Sequence, residues 1–238
     1  MTLAKKLSVV TEELKRKGNS PSDKVLRIAQ RGMLSVGLSP RVNLARCVIV
    51  ELVKAPEIGR GLSDLDVRRA GPDDIPGLCA VVGAEDSLFR ARLGRGDLGF
   101  VGAIDGEILC YTWFHPGPTS FEEDSTIFAP WAVEESAFWS YDAMTRPDAR
   151  TSGVFVKVFK TALRDLFAVH GARRVQGFIH HTNEMSLTVH QRLGFATVGS
   201  VTALALPGVK WLHWENRGKS HQRLLSRDSD FALRFSSA

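Results

Sequence analysis

The stretch Pro147-Asp-Ala-Arg-Thr-Ser-Gly-Val-Phe-Val-Lys-Val-Phe-Lys-Thr-Ala-Leu163 joins a turn to an amphipathic helix. Pro147-Asp148 is turn-forming, and from Val154 onwards apolar residues recur at helical spacing. Between them stand Arg150, Thr151, Ser152 and Gly153. One reading is an ordinary helix start, with Ser152 as its cap and Arg150 as a surface charge. The other is an anion cradle. A helix start leaves up to four N–H groups unpaired and carries the positive end of the macrodipole. Gly153 lets a ligand approach the backbone, and such a turn holds a pyrophosphate with little help from side chains. Arg150 and the hydroxyls of Thr151 and Ser152 would add donors.

Working outward, Ala137–Met144 (AFWSYDAM) reads as a strand feeding this turn, and the helix runs on to about Val169, where His170-Gly171 ends it. Residues 173–181 (RRVQGFIHH) read as the next strand. Residues 183–194 (NEMSLTVHQRLG) read as a short helix capped by Asn183 and closed by Gly194. Upstream, residues 65–70 alternate as a strand, and 71–83 start a helix that Asp73 or Asp74 can cap, with Pro76 in its first turn. Residues 87–96 continue as helix. Asp105-Gly106 joins two apolar runs within 98–117, a strong hairpin signal. A polar, acidic loop follows over 118–135. Residues 195–206 and 209–215 form two final strands around Pro207-Gly208. The order is α/β, with hairpins mixed among crossover units. The first strand–helix turn, RRAGPDD, carries no GxGxxG, so a dinucleotide-binding Rossmann unit is not the expectation.

With this order in place, residues 65–216 resemble the Gcn5-related N-acetyltransferase (GNAT) superfamily. That family has a strand, a loop of the form Arg/Gln-x-x-Gly-x-Gly/Ala, and a helix. A second strand follows, then Asn-x-x-(small)-x-x-apolar-Tyr-x-x-x-Gly-Phe. Here the loop reads Arg150-Thr-Ser-Gly153-Val-Phe155, and the later segment reads Asn183-Glu-Met-Ser186-Leu-Thr-Val189-His190-Gln-Arg-Leu-Gly194-Phe195. The resemblance implies a mixed, mostly antiparallel twisted sheet with a splay between its two central parallel strands and helices on both faces. It implies acetyl-CoA, or another acyl-CoA, as co-substrate. Backbone N–H groups of Arg150, Thr151, Ser152, Gly153 and Val154 would hold the pyrophosphate. The backbone of Tyr141–Thr145, including Ala143 and Met144, would pair with the pantetheine arm, and Asn183, with Ser186 in the same motif, would contact it from the other side.

Two positions depart from the family pattern. Phe155 stands where Gly or Ala is usual, and its ring either alters the loop or turns into the core. His190 stands where many members carry a tyrosine that protonates the departing thiolate, and is either that proton donor or a half-buried histidine with a backbone partner. Thiol and imidazole have ordinary pKa values of about 8.5 and 6.5, so an imidazolium can pass a proton to a thiolate downhill. The amine acceptor must lose a proton before attack. Asp142, on the first splayed strand, is the expected base, with Glu134, Glu135, His180 and His181 as alternatives. Trp113, Phe114, Trp131, Trp139 and Tyr141 either line an acceptor pocket or fill the sheet core.

Composition sets the outer bounds. The chain has 238 residues, 44% hydrophobic and 24% charged, as in globular domains. No apolar run reaches the roughly 18 residues that span a bilayer, and MTLAKKLSVV lacks the features of a secretory signal, so a cytoplasmic protein is expected. Cys47, Cys79 and Cys110 are widely spaced, with no CxxC, and His180-His181 lacks a matched third ligand, so no metal is expected. Residues 1–31 carry eight basic and three acidic side chains, the whole formal excess of +5. This basic segment would be a solvated helix face or an oligomer contact, with nucleic acid the less expected partner. The chain thus divides into a helical extension plus one strand (1–64), the GNAT-like domain (65–216) and a polar tail (217–238).

The expected activity is transfer of an acyl group, acetyl foremost, from the CoA thioester directly to a primary amine of a small molecule. The alternatives are acylation of a protein amine and a non-catalytic module that binds CoA or an acyl carrier.

Overall fold

The Asp105-Gly106 pair does what its residue types require. Both adopt positive φ, 50° and 81°, and turn β3 (Leu98–Ile104) back into β4 (Glu107–Pro116). A computed structural model describes residues 43–57, 62, 64–121, 127, 129–206, 209–225 and 231–235. The helices expected within 1–36 and the acidic cluster Glu122–Asp124 lie outside the described residues.

The remaining strands are β1 (Asn43–Leu52), β2 (Asp66–Arg69), β5 (Thr119–Phe121), β6 (Trp131–Val133), β7 (Ala137–Thr145), β8 (Arg174–His180), β9 (Ala196–Leu206), β10 (Val209–Asn216) and β11 (Lys219–Leu225). The helices are α1 (Ile75–Val82), α2 (Asp86–Gly94), α3 (Val154–Ala168) and α4 (Glu184–Arg192). The described residues fall into two compact units, and the boundary passes through β1 between Cys47 and Val48 and through β9 between Gly199 and Ser200.

In the larger unit the strand order is β1-β8-β7-β4-β3-β2. Pairs β2–β3, β3–β4 and β4–β7 are antiparallel, and β7–β8 is parallel. This is the mixed, mostly antiparallel sheet that the sequence implied. Strand alternation sends Phe114 of β4 to one face, where it stacks on Phe159 of α3 at 5.8 Å. It sends Tyr111 and Trp113 to the other face, where both rings meet Phe89 of α2. Phe159 is fully buried and also meets Phe155, His190 and Phe195, with centroids 5.1, 5.1 and 5.9 Å away. In the smaller unit β9, β10 and β11 are neighbours in that order, and β10–β11 is an antiparallel hairpin.

Three local expectations are corrected. The loop over 118–135 contains a short antiparallel pair, β5–β6, and Trp131 of β6 is core: its ring stacks on Trp139 at 4.7 Å and on Phe178 at 5.5 Å. The segment after Asn216 is not merely a polar tail, since it supplies β11, while Leu233 and Phe235 dock and are buried, as their apolar character within that tail allows. Leu233 bridges to Trp131, and the buried Gln176 amide donates to the Phe235 carbonyl at 2.6 Å and to Glu51 at 2.8 Å. Asp74 does not cap α1 with its side chain; it accepts from the Gly71 amide at 2.8 Å and from both terminal nitrogens of Arg68. A guanidinium outbids a single helix N–H because the pair is charge-assisted and two-pronged.

Phe159→Ala is expected to lower stability by about 3–5 kcal/mol, since it opens a cavity at the centre of four rings. A urea midpoint unchanged from the wild type would contradict that reading of the core.

Candidate active site

The parallel ladder between β7 and β8 runs from Ala137↔Arg174 to Ser140↔Gly177 and stops. Gly177 marks the last rung: a Cβ there would lie 2.8 Å from the Ser140 carbonyl oxygen. Beyond it β7 continues to Thr145, bonded on its other side to β4. The register with β4 jumps between Tyr111↔Met144 and Trp113↔Tyr141, so Asp142 and Ala143 together oppose Thr112. This is a β-bulge, with Asp142 at φ +40°. On the β8 side, the backbone of Tyr141–Thr145 carries no ladder partner among the described residues.

That edge leads directly into the quoted turn. Residues Pro147–Ala149 make a 3-10 turn, Thr151 sits at φ +68°, and Gly153 caps α3 at φ +85°. Residues 150–153 are exposed. The hydroxyls are turned inward: Ser152 Oγ donates to the Ala149 carbonyl at 2.6 Å, and Thr151 Oγ1 to the Arg150 carbonyl at 2.5 Å. The expectation that these hydroxyls serve as free donors is therefore corrected. Of the five N–H groups expected to hold a pyrophosphate, two are taken, that of Arg150 by the Pro147 carbonyl and that of Val154 by Ser152 Oγ, both at 3.4 Å, whereas those of Thr151, Ser152 and Gly153 have no acceptor among the described residues. Arg150 lies across the turn, its Nε donating to the Thr145 carbonyl at 3.3 Å. Phe155 turns into the core against Phe159, so the loop keeps its shape without Gly or Ala at that position.

On α4, Asn183 caps the helix, its Oδ1 accepting from the Ser186 N–H at 3.1 Å. The Ser186 carbonyl in turn accepts from His190 Nδ1 at 2.8 Å. His190 is buried among Phe155, Phe159 and Phe195, and that burial holds its pKa below the ordinary imidazole value. With the proton on Nδ1 the neutral ring offers only a lone pair at Nε2, so donation to a thiolate would require the imidazolium that burial opposes.

The α2 face of the same strands holds a polar cluster that the sequence reading did not assemble. Asp142 is ion-paired with Arg92 and also accepts from the Tyr111 hydroxyl at 3.4 Å. Arg92 spreads over the rings of Phe89, Trp113 and Tyr141 at 5.1–5.5 Å. Asp142, expected as a free base, is thus occupied in holding the bulge. Beside it the Asp97 carboxylate is fully buried and takes three donors: His115 Nδ1 at 2.5 Å, the Tyr141 hydroxyl at 2.5 Å, and Arg95. Burial alone would raise the Asp97 pKa; the three donors outweigh it and hold the carboxyl below its usual range. The same burial and the neighbouring carboxylates push the Tyr111 and Tyr141 phenols well above their ordinary value. Cys110 is pushed up to about 11 by burial, so it is a core thiol and not a nucleophile. Among the described residues no group of three or more His, Cys, Asp or Glu side chains is placed to hold a metal ion, and no helix is long and apolar enough to cross a membrane.

No protein-family model matches the chain, and no curated protein matches it either. Solved structures do. The chain is similar to a GCN5-related N-acetyltransferase from Kribbella flavida, at 14% identity and a TM-score of 0.51, over 74% of this chain and 64% of that one. It is similar to a GNAT-family protein from Novosphingobium aromaticivorans, also at 14% identity and a TM-score of 0.51, over 70% of this chain and 68% of that one. The match thus spans less than two thirds of the Kribbella protein. Together with the splayed parallel pair, these likenesses establish that this chain has the GNAT fold.

Asp97→Asn is expected to cost on the order of 3 kcal/mol at neutral pH, because the buried His115 N–H and Tyr141 hydroxyl and the part-exposed Arg95 lose their shared anion. The folded carboxyl lies below its unfolded value of about 3.9, so its contribution is complete above that value and is lost as pH falls below it. Urea midpoints of the wild type and the variant should therefore converge as pH drops below about 4. A gap that stays constant from pH 7 to pH 3 would contradict the assignment.

Proposed function

We propose that this protein is an acyl-CoA-dependent N-acyltransferase that moves an acyl group, acetyl foremost, from the CoA thioester to a primary amine. One observation carries the reading. β7 leaves β8 after Ser140↔Gly177 and runs, unpaired on that edge, into a turn with three free N–H groups. An extended ligand with amide groups at one end and a pyrophosphate at the other fits that sequence of partners. The edge of Tyr141, Ala143, Met144 and Thr145 supplies strand-like hydrogen bonds to a pantetheine arm. The N–H groups of Thr151, Ser152 and Gly153 face the pyrophosphate, assisted by the macrodipole of α3. Arg150 adds positive charge at the same corner, and the Asn183 side-chain NH₂, left free by its capping oxygen, contacts the arm from α4.

Direct transfer needs two reactants held side by side, which turns a bimolecular encounter into a local one. On this reading the two meet at the unpaired edge of β7, one from each face of the sheet. The thioester enters from the α3 side, where the turn lies. The amine approaches from the α2 side, where the polar cluster lies. On this reading His190 packs α4 against α3 through the rings of Phe155 and Phe159, its own orientation fixed by the Ser186 carbonyl one turn away, and Asp142 shapes the bulge through Arg92.

Calorimetry with acetyl-CoA is expected to show one site. Ser152→Asp, which sets a carboxylate at the exposed turn, is expected to weaken that binding at least tenfold while leaving the melting temperature of the free protein within about 2 °C. No acetyl-CoA binding by the wild type would overturn the proposal.

A further inference from the structure

We infer that His115, oriented by Asp97, is the proton acceptor for the amine, with Nε2 as the accepting atom. The inference rests on the acyltransferase reading and goes beyond it by assigning the base to residues outside every motif of the sequence.

Three observations carry it. His115 Nδ1 lies 2.5 Å from Asp97 Oδ1, and the carboxylate is fully buried and held anionic by Arg95 and Tyr141. An anion at that distance holds a proton on Nδ1, so in the neutral ring Nε2 is the nitrogen that carries the lone pair. Second, His115 Nε2 is buried and has no hydrogen-bond partner among the described residues. A buried acceptor left unpaired costs about 1–3 kcal/mol, so a fold that keeps one has a use or a ligand for it. Third, the location fits. His115 pairs with Trp139 in β7, adjacent to the last rung at Ser140. It shares its carboxylate with the Tyr141 hydroxyl, and the Tyr141 backbone begins the unpaired edge.

Among the described residues, these groups face the imidazole and its carboxylate. Asp97, just ahead of β3, binds Nδ1; Arg95, after α2, and Tyr141, on β7, bind the same carboxylate; and Phe121 of β5 stacks on the ring at 4.4 Å. Arg92 lies over the Tyr141 ring and is neutralised by Asp142. Asp142 is therefore spent on a cation, whereas the Asp97–His115 pair keeps one buried imidazole nitrogen without a partner among the described residues.

The step balances as follows. His115 Nε2 takes one proton from the acceptor ammonium. The freed nitrogen lone pair attacks the thioester carbonyl carbon and forms the C–N bond. The C–S bond breaks as the tetrahedral centre collapses, and the departing sulfur receives the second nitrogen proton. The imidazolium returns its proton to solvent. His115 acts on the amine directly; Asp97 is a positioning residue.

The test uses the full chain with acetyl-CoA and four amines (spermidine, glucosamine, glycine and a short peptide with a free N-terminus), plus water alone. Thiol release is followed from pH 5 to 9, and acetyl-CoA affinity is measured separately. His115→Gln is expected to lower kcat/KM by about a hundredfold or more, to remove the acidic limb of the profile, and to leave acetyl-CoA affinity within twofold. Asp97→Asn is expected to depress kcat with the same loss of profile, and Asp97→Glu to restore part of it. Nitrogen NMR of the wild type, with the signal assigned by its loss in His115→Gln, is expected to show Nδ1 protonated, Nε2 bare at pH 7, and a shift of Nε2 when acetyl-CoA is added. A protonated Nε2 at pH 7, or wild-type rate and pH profile in His115→Gln, overturns the inference alone. Binding of acetyl-CoA without thiol release to any acceptor also overturns it, since a binding module needs no base. Absence of binding overturns the acyltransferase reading as well.

Discussion

The rest of the structure depends on the early end of one ladder. β7 and β8 hold each other over only a short parallel stretch, closed by the contact of Gly177 with the Ser140 carbonyl. Past that point the bulge at Asp142–Ala143 alters how β7 faces its neighbours. Exposed N–H and C=O groups inside a sheet are costly unless water or a ligand completes them. An interior edge of this kind is therefore either a defect or a seat. The free amides at the start of α3, in line with that edge, favour the second reading and support the proposed acyl-CoA site.

The two faces of the strands around this slot differ in kind. The α3 face is dry and aromatic: Phe114, Phe159, Phe155 and Phe195 stack there, with His190 packed among them. The α2 face carries one buried carboxylate, Asp97, and one half-buried, Asp142, each met by an arginine and a tyrosine, and Asp97 also by a histidine. Buried charge of this sort contributes little net stability, because desolvation offsets attraction. What it provides is a fixed arrangement. Arg92 ties α2 to the bulge, and Asp97 ties the start of β3 to β4 and β7. The polar face is thereby held still beside the slot, which is what chemistry at that slot requires.

Much of this was legible in the residues. Asp105-Gly106 marked the β3–β4 hairpin, because few other pairs accept two positive φ angles. Asn183 and Gly194 marked the ends of α4, and Gly153 the start of α3. The missed elements have two causes. β11 closes a local hairpin through Arg217-Gly218, both at positive φ, but its polar sequence lacks the alternation of a half-buried strand. β5 and β6 are short, and Trp131 of β6 is held by Leu233, distant in the chain. Local pattern carries no signal of such pairing. The expected catalytic side chains, His190 and Asp142, were read from position within a motif. Their partners, a backbone carbonyl one turn away and an arginine fifty residues upstream, set what their atoms are free to do.

The sequence by itself determined the element order, the glycine-led turn ahead of α3 and the strand that feeds it, since these follow from local backbone preference and periodicity. Only the tertiary structure decided which polar groups meet. A β3–β4 hairpin continued without interruption from Ile104↔Glu107 would set Asp97 across from Phe114. The irregularity between Gly102 and Ala103 shifts the pairing by one residue, so that Leu98 opposes Phe114 and Asp97 reaches His115 instead. Side chains alternate faces with a period of two, so one inserted residue moves a whole run to the other side. Where that residue is inserted is settled by packing on both faces of the finished sheet.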